Sequence, residues 1–208
     1  MSHETDLRIR RTQKMLQDTF IQLVVEVGFE SVTVQLLSER AMVNRATFYR
    51  HYEDKYDLAE KVYSAITDDY RASVQVLSIN NPLEGWRMLF EHCALYADFY
   101  LSLFHGWPQF PERVRRGIEE EILAFSANES IERPLDLTKH EVPTNYESGL
   151  PLNLTLRYLA TAQMGIMEWW LDNNQPVPPA QMAEYLWRLH SQGPFAQLPN
   201  LSTQLEKP

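Results

Sequence analysis

The segment Thr33-Val-Gln-Leu-Leu-Ser-Glu-Arg-Ala-Met-Val-Asn-Arg-Ala-Thr-Phe-Tyr-Arg-His-Tyr-Glu-Asp-Lys55 admits few folds, because it holds two helix-starting residues only eleven positions apart. Thr33 can N-cap a helix over Val34 to Ala41, its hydroxyl accepting from one of the N–H groups left unsatisfied in the first turn. Asn44 can do the same for a helix beginning at Arg45. Leu36, Leu37 and Ala41 supply an apolar stripe, Val43 fills the turn between the caps, and Phe48 and Tyr52 continue the buried face at i, i+4 spacing. Two short helices joined by one tight turn make a helix-turn-helix. The outward face of its second helix carries Arg45, Ala46, Thr47, Tyr49, Arg50 and His51.

Those outward residues suit the groove of a duplex. Arg45 can fork onto guanine, Ala46 is small enough to let the helix approach thymine methyl groups, and Thr47 and Tyr49 can donate to phosphate oxygens. The N-terminal end of such a helix reaches base edges and its later residues meet the backbone. This assigns Arg45 and Ala46 to bases, and Thr47, Tyr49, His51 and Lys55 to phosphates. Lys55 opens the next helix, where the dipole and free N–H groups also favour a phosphate. Thr33, at the entrance to the motif, completes the candidate DNA-binding set. The plainer reading of the same residues is a core-facing aromatic pair with a solvated polar face.

The run Thr47-Phe-Tyr-Arg-His-Tyr-Glu-Asp-Lys55 resembles the signature of the TetR family of transcriptional regulators, Thr-Phe-Tyr-x-His-Phe-x-x-Lys after the turn. A first helix ending in Gly28-Phe29, followed by Ser31-Val-Thr33, extends the likeness over roughly the first quarter to third of the chain. There are two departures. Asn44 replaces a frequent Ser, and Asn caps as well as Ser. Met42 occupies a turn position where the family usually has Gly, so a positive φ there would put strain on a non-Gly side chain. The resemblance implies an all-α protein with a DNA-binding domain over 1–56 and an effector-binding and dimerisation domain over 57–208. It also implies a homodimer on a near-palindromic operator in double-stranded DNA, with repression as the usual mode and release by a small molecule.

The net charge of −9 disfavours nucleic acid when taken over the whole chain. Residues 1–56 hold eight Lys or Arg and eight Asp or Glu, a net charge of 0, so residues 57–208 carry the entire −9. Arg8, Arg10, Arg11 and Lys14 cluster ahead of the motif and can still offer a local basic face, while the acidic remainder would orient the molecule on DNA. With 208 residues, 44% of them hydrophobic, the chain can bury a substantial core. No apolar run approaches the roughly 18 residues of a membrane span, and the polar N-terminus is no signal peptide. A cytoplasmic protein without membrane contact is expected. The lone Cys93 excludes an intramolecular disulfide and a cysteine-based zinc site within one chain.

Apolar periodicity predicts helices over Leu7 to Val27, Asp54 to Leu77, Pro82 to about Phe104, Pro111 to Asn128, Leu152 to Asn173 and Pro179 to Ser191. A helix stop is expected at Gly28, and a break at Trp107-Pro108. Glu132 to Pro151, with three prolines and a glycine, reads as a long loop. The stretch Leu154 to Leu171 is apolar on more than one face and so needs two partners. Its Ala160, Ala162 and Gly165 permit close helix approach. Met164, Met167, Trp169 and Trp170, with Ala183, Leu186, Trp187 and His190 of the last helix, are candidate dimer-interface residues, with internal core as the alternative. In the TetR family the last two helices serve that purpose.

Trp86, Phe90, His92, Tyr96, Tyr100 and Phe104 form an aromatic run with polar tips that can line an effector pocket, and ordinary packing explains the same spacing. Catalysis finds no foothold: the seven glycines form no nucleophile elbow, phosphate loop or dinucleotide fingerprint. Glu119, Glu120 and Glu121 read as a solvated helix face. His92, Cys93 and Asp98 lack the i, i+3 or i+4 spacing of a shared metal face. No enzyme, metal or cofactor is expected. The alternative function is a helical protein-interaction module that retains a degenerate DNA-binding head.

Overall fold

The computed structural model describes residues 3–77, 82–126 and 150–193, and these are helical with no β-strand among them. The helices are α1 (His3–Val27), α2 (Val34–Arg40), α3 (Arg45–Phe48), α4 (Lys55–Leu77), α5 (Pro82–Leu95), α6 (Ala97–Gly106), α7 (Phe110–Ser126), α8 (Leu152–Asp172) and α9 (Pro179–Gln192). A 3-10 turn, Phe29–Ser31, joins α1 to α2. The loop expected over 132–151 lies outside the described residues except for its last two positions.

The chain divides into two compact units, one of Met1–Ala72 with Tyr96–Gly117, the other of Ser73–Leu95 with Ile118–Pro208. In the first, Leu16, Phe20, Leu23 and Val24 of α1 are fully buried, and their i, i+4, i+7, i+8 spacing is the stripe that makes this segment a helix. Gly28 ends α1 at φ 79°, its N–H still donating to Val24 O, a conformation that glycine reaches without a Cβ penalty. Phe29 then turns inward against Phe20, edge to face at 6.2 Å, and stacks on Trp107 at 5.6 Å and 16°. Burying a ring of this size contributes about 1.5–3 kcal/mol.

In the second unit α5 packs along α9 and against α8. Leu156, Ala160, Gln163, Met167 and Trp170 form one buried stripe of α8, and Phe90 meets Trp170 edge to face at 5.2 Å. The indole N–H of Trp170 donates to Val177 O at 2.9 Å, which pins the turn into α9. Asn174 and Gln175 take positive φ there, 55° and 52°.

The single helix expected over Pro82 to Phe104 is two, broken at Tyr96 (φ −115°, ψ 27°). No Pro or Gly marks that break. Its cause is tertiary, since α5 buries its apolar side against α8 and α9 while α6 buries its own against α1 and the 3-10 turn.

Candidate nucleic-acid interface

The caps form as local chemistry requires. Thr33 Oγ1 accepts from Leu36 N–H at 3.1 Å, and Asn44 Oδ1 accepts from Ala46 N–H at 2.8 Å. Between the caps Met42 has φ 52°, the left-handed conformation in which a Cβ is unfavourable, and its side chain is 90% exposed. The turn closes through Met42 N–H to Glu39 O and Val43 N–H to Ser38 O. Phe48 and Tyr52 are buried, as their spacing predicts, and hold α3 by its inner face.

Arg45, Ala46, Tyr49 and Arg50 are exposed, with Tyr49 braced edge to face on Phe48 at 5.5 Å. Thr47 and His51 are half-buried, and His51 lies against Tyr52. The α-helix stops at Phe48, after which Arg50 N–H reaches Thr47 O and His51 N–H reaches Phe48 O in tighter turns. Tyr49 and His51 therefore stand on a tightened extension, not on a long recognition helix. Thr33 is exposed at the start of α2.

Lys55 opens α4 as expected, but its ammonium group is turned inward. It donates to Phe29 O at 3.1 Å and Glu30 O at 3.0 Å, and lies 4.6 Å from the centre of the Phe29 ring. Burial lowers its pKa, and neighbouring Glu30 partly offsets the shift. In this arrangement Lys55 ties the 3-10 turn to α4 and does not project toward a phosphate.

Sequence reading missed the partners that fasten this turn. Phe29 N–H donates to Ser102 Oγ of α6 at 2.7 Å, 73 positions away. A Cβ on Gly106 would stand 3.0 Å from Glu30 N and 3.1 Å from Phe29 Cβ, so α6 ends in close approach to the turn. No local signal in the sequence marks Ser102 or Gly106 for this role.

The six aromatic-run candidates separate. Trp86, Phe90 and His92 sit on α5 in the second unit, whereas Tyr96, Tyr100 and Phe104 belong to the first. Tyr100 and Phe104 are buried beside Phe110, at 6.4 and 5.0 Å between ring centres, which is core packing. Trp86 lies 5.2 Å from the His190 ring, whose Nδ1 bonds Leu186 O and whose Nε2 meets the Gln163 amide. Burial pushes the His92 pKa down to about 4 and the Cys93 thiol up to about 12.

The dimer candidates also divide. Met167 and Trp170 of α8 and Ala183 and Leu186 of α9 are buried within the chain itself, where α5 packs along α9 and against α8. Met164 and His190 are half-buried. Trp169 and Trp187 remain exposed, at 52% and 40%.

Residues 18–62 match the family model described as bacterial regulatory proteins, tetR family. The chain is similar to the HTH-type transcriptional regulator TcmR of Streptomyces glaucescens, 32% identical over 38% of this chain and 35% of the relative. It is also similar to the HTH-type transcriptional regulator YvkB of Bacillus subtilis (strain 168), 34% identical over 27% and 30%. The matches thus span about a third of the length of these curated relatives. Over nearly the whole length, the fold is similar to that of the TetR transcriptional regulator from Streptococcus agalactiae 2603V, with a TM-score of 0.67, 21% identity, and 91% and 98% of the two chains covered.

Proposed function

We propose that this chain is a TetR-type, homodimeric DNA-binding transcriptional regulator, a repressor that leaves a near-palindromic operator when a small molecule binds, a reading supported by the family match over residues 18–62 and by the similarity to TcmR and YvkB. The observation that carries the reading is the capped α3 with Arg45, Ala46, Tyr49 and Arg50 all exposed on one short helix and its extension. A buried stripe fixes the helix from behind, so its outer face is presented in a set orientation. Arg45 and Ala46 stand at the end that would meet base edges, and Tyr49 and Arg50 follow toward the backbone.

Dimerisation is supported by the second face of α8. Leu154, Tyr158 and Trp169 are exposed along it, and a Cβ on Gly165 would meet nothing within 4 Å. Tyr185 and Trp187 of α9 are exposed as well. Large aromatic anchors around a small residue suit a helix-to-helix contact with a second copy. For the effector, the supporting feature is the polar group of Gln163 and His190 beside Trp86, where α5, α8 and α9 meet. Release would follow from different affinities of the effector for two states of the protein.

The test is selection of genomic fragments by the purified protein at two salt concentrations, with footprinting of any enriched site. A near-palindromic, salt-sensitive footprint that Tyr49→Phe weakens, with helicity intact by circular dichroism, supports the regulator. No enrichment at low salt sinks the DNA-binding reading and leaves the interaction module. A reporter assay then gives the sign of regulation, and sedimentation showing a monomer at micromolar concentration would remove the dimer.

A further inference from the structure

The first 56 residues are neutral overall, yet their charges are segregated. Residues 7–17 hold Arg8, Arg10, Arg11 and Lys14 and no acid, and residues 40–52 hold Arg40, Arg45 and Arg50 and no acid. The second window contains α3. Folding joins the two at their ends, where Gln17 of α1 donates through Nε2 to Tyr52 Oη at 3.3 Å. At about 100° per residue, Arg10 and Lys14 lie within roughly 60° of Gln17 around α1, and Arg11 stands about 60° beyond Lys14 at the edge of that face. Arg10 stands about 10 Å further along the helix axis than Gln17. Basic side chains therefore continue along the α1 face that meets the end of the recognition segment.

Arg10, Arg11 and Lys14 are exposed, and the contact of Lys14 with Asp18 is a 3.4 Å surface pair that a phosphate could replace. Phosphate contacts supply much of the affinity of a protein for a duplex, and α3 with its extension is too short to supply many. Lys55 is turned to carbonyl groups, and Arg40 pairs with Glu26 at 3.0 Å.

We infer that Arg10, Arg11 and Lys14 form a second DNA contact, a basic stripe that grips the phosphate backbone beside the bases met by α3. The inference rests on the regulator reading above. The stripe lengthens the protected site and raises affinity for any sequence, leaving base choice to Arg45 and Ala46.

The experiment compares the full chain with its Arg10→Gln/Arg11→Gln/Lys14→Gln variant on the fragment enriched by the parent protein and on a mixed-sequence duplex, between 50 and 200 mM salt. Removing one phosphate contact lowers the log–log salt slope by about 0.9, so removing three shrinks the parent's fall in affinity over this range by roughly 40-fold. Both duplexes should weaken alike, and the hydroxyl-radical footprint should shorten at its outer edges. An Arg10→Lys/Arg11→Lys variant should restore the slope, because a phosphate contact needs the charge and not the guanidinium fork. An unchanged slope and footprint in a variant that keeps its helicity overturns the stripe while leaving the regulator intact. Absence of binding by the parent overturns both.

Discussion

Met42→Gly should stabilise the protein, although it removes a side chain. Met42 holds φ 52° at the turn between α2 and α3, and for an L-residue the left-handed conformation costs roughly 1–2 kcal/mol. Its side chain is 90% exposed, so truncation forfeits almost no burial. Both turn hydrogen bonds, Met42 to Glu39 and Val43 to Ser38, run through the backbone and survive the change. Against the relief stands the greater freedom of glycine in the unfolded chain, about 0.5–1 kcal/mol. The difference leaves a gain of about 0.5–1 kcal/mol, which for a chain of this length raises Tm by roughly 1–4 °C. Urea unfolding followed by circular dichroism, alongside a thermal scan, would measure it. Met42→Ala is the control, because alanine keeps the Cβ and hence the strain. A glycine variant less stable than the parent, or an alanine variant stabilised as much, would refute the strain argument.

Three further outcomes follow from single side chains. The Ser38 hydroxyl is buried without a hydrogen-bond partner, so Ser38→Ala should raise stability by about 1 kcal/mol in the same urea experiment, where a decrease would reveal an unseen bond. Lys55→Met keeps the apolar stem but removes the bonds to the Phe29 and Glu30 carbonyls. It should cost about 2 kcal/mol of stability while leaving the DNA salt slope unchanged, whereas a slope reduced by about 0.9 would place Lys55 on a phosphate after all. His92 binds its proton only near pH 4 when folded but near pH 6.5 when unfolded, so between those values the unfolded chain holds more protons and the folded state weakens as pH falls. Tm should therefore drop from pH 7 to pH 5, and His92→Gln should flatten that drop. A parallel decline in both proteins would exclude His92 as its source.

How much was legible depended on how local the determinant is. The caps at Thr33 and Asn44, the stop at Gly28 and the buried Phe48–Tyr52 pair involve residues within a few positions of one another, and each occurs where the pattern placed it. The exposed Arg45, Ala46 and Tyr49 follow from the same register, since a buried inner face fixes the outer one. The positive φ of Met42 agrees with the resemblance, in which that turn position usually holds Gly. Lys55 looked equally local and was not. Its position at the start of α4 is a matter of register, but the direction of its ammonium group depends on the Phe29 and Glu30 carbonyls, 26 and 25 residues away.

The sequence by itself thus determined the helical class, the capped head and the residues that face outward from it, because helix capping and 3.6-residue periodicity act over one to three turns. Tertiary structure alone decided the division of the aromatic run at Tyr96, the burial of Met167 and Trp170 of α8 and of Ala183 and Leu186 of α9, and the exposure of Trp169 and Trp187 on the remaining faces. A helix that is apolar on two sides carries no mark saying which side its own chain will cover. That choice is made by elements distant in sequence, when α5 brings Phe90 to Trp170 of α8 and when Ser102 reaches Phe29 across 73 positions.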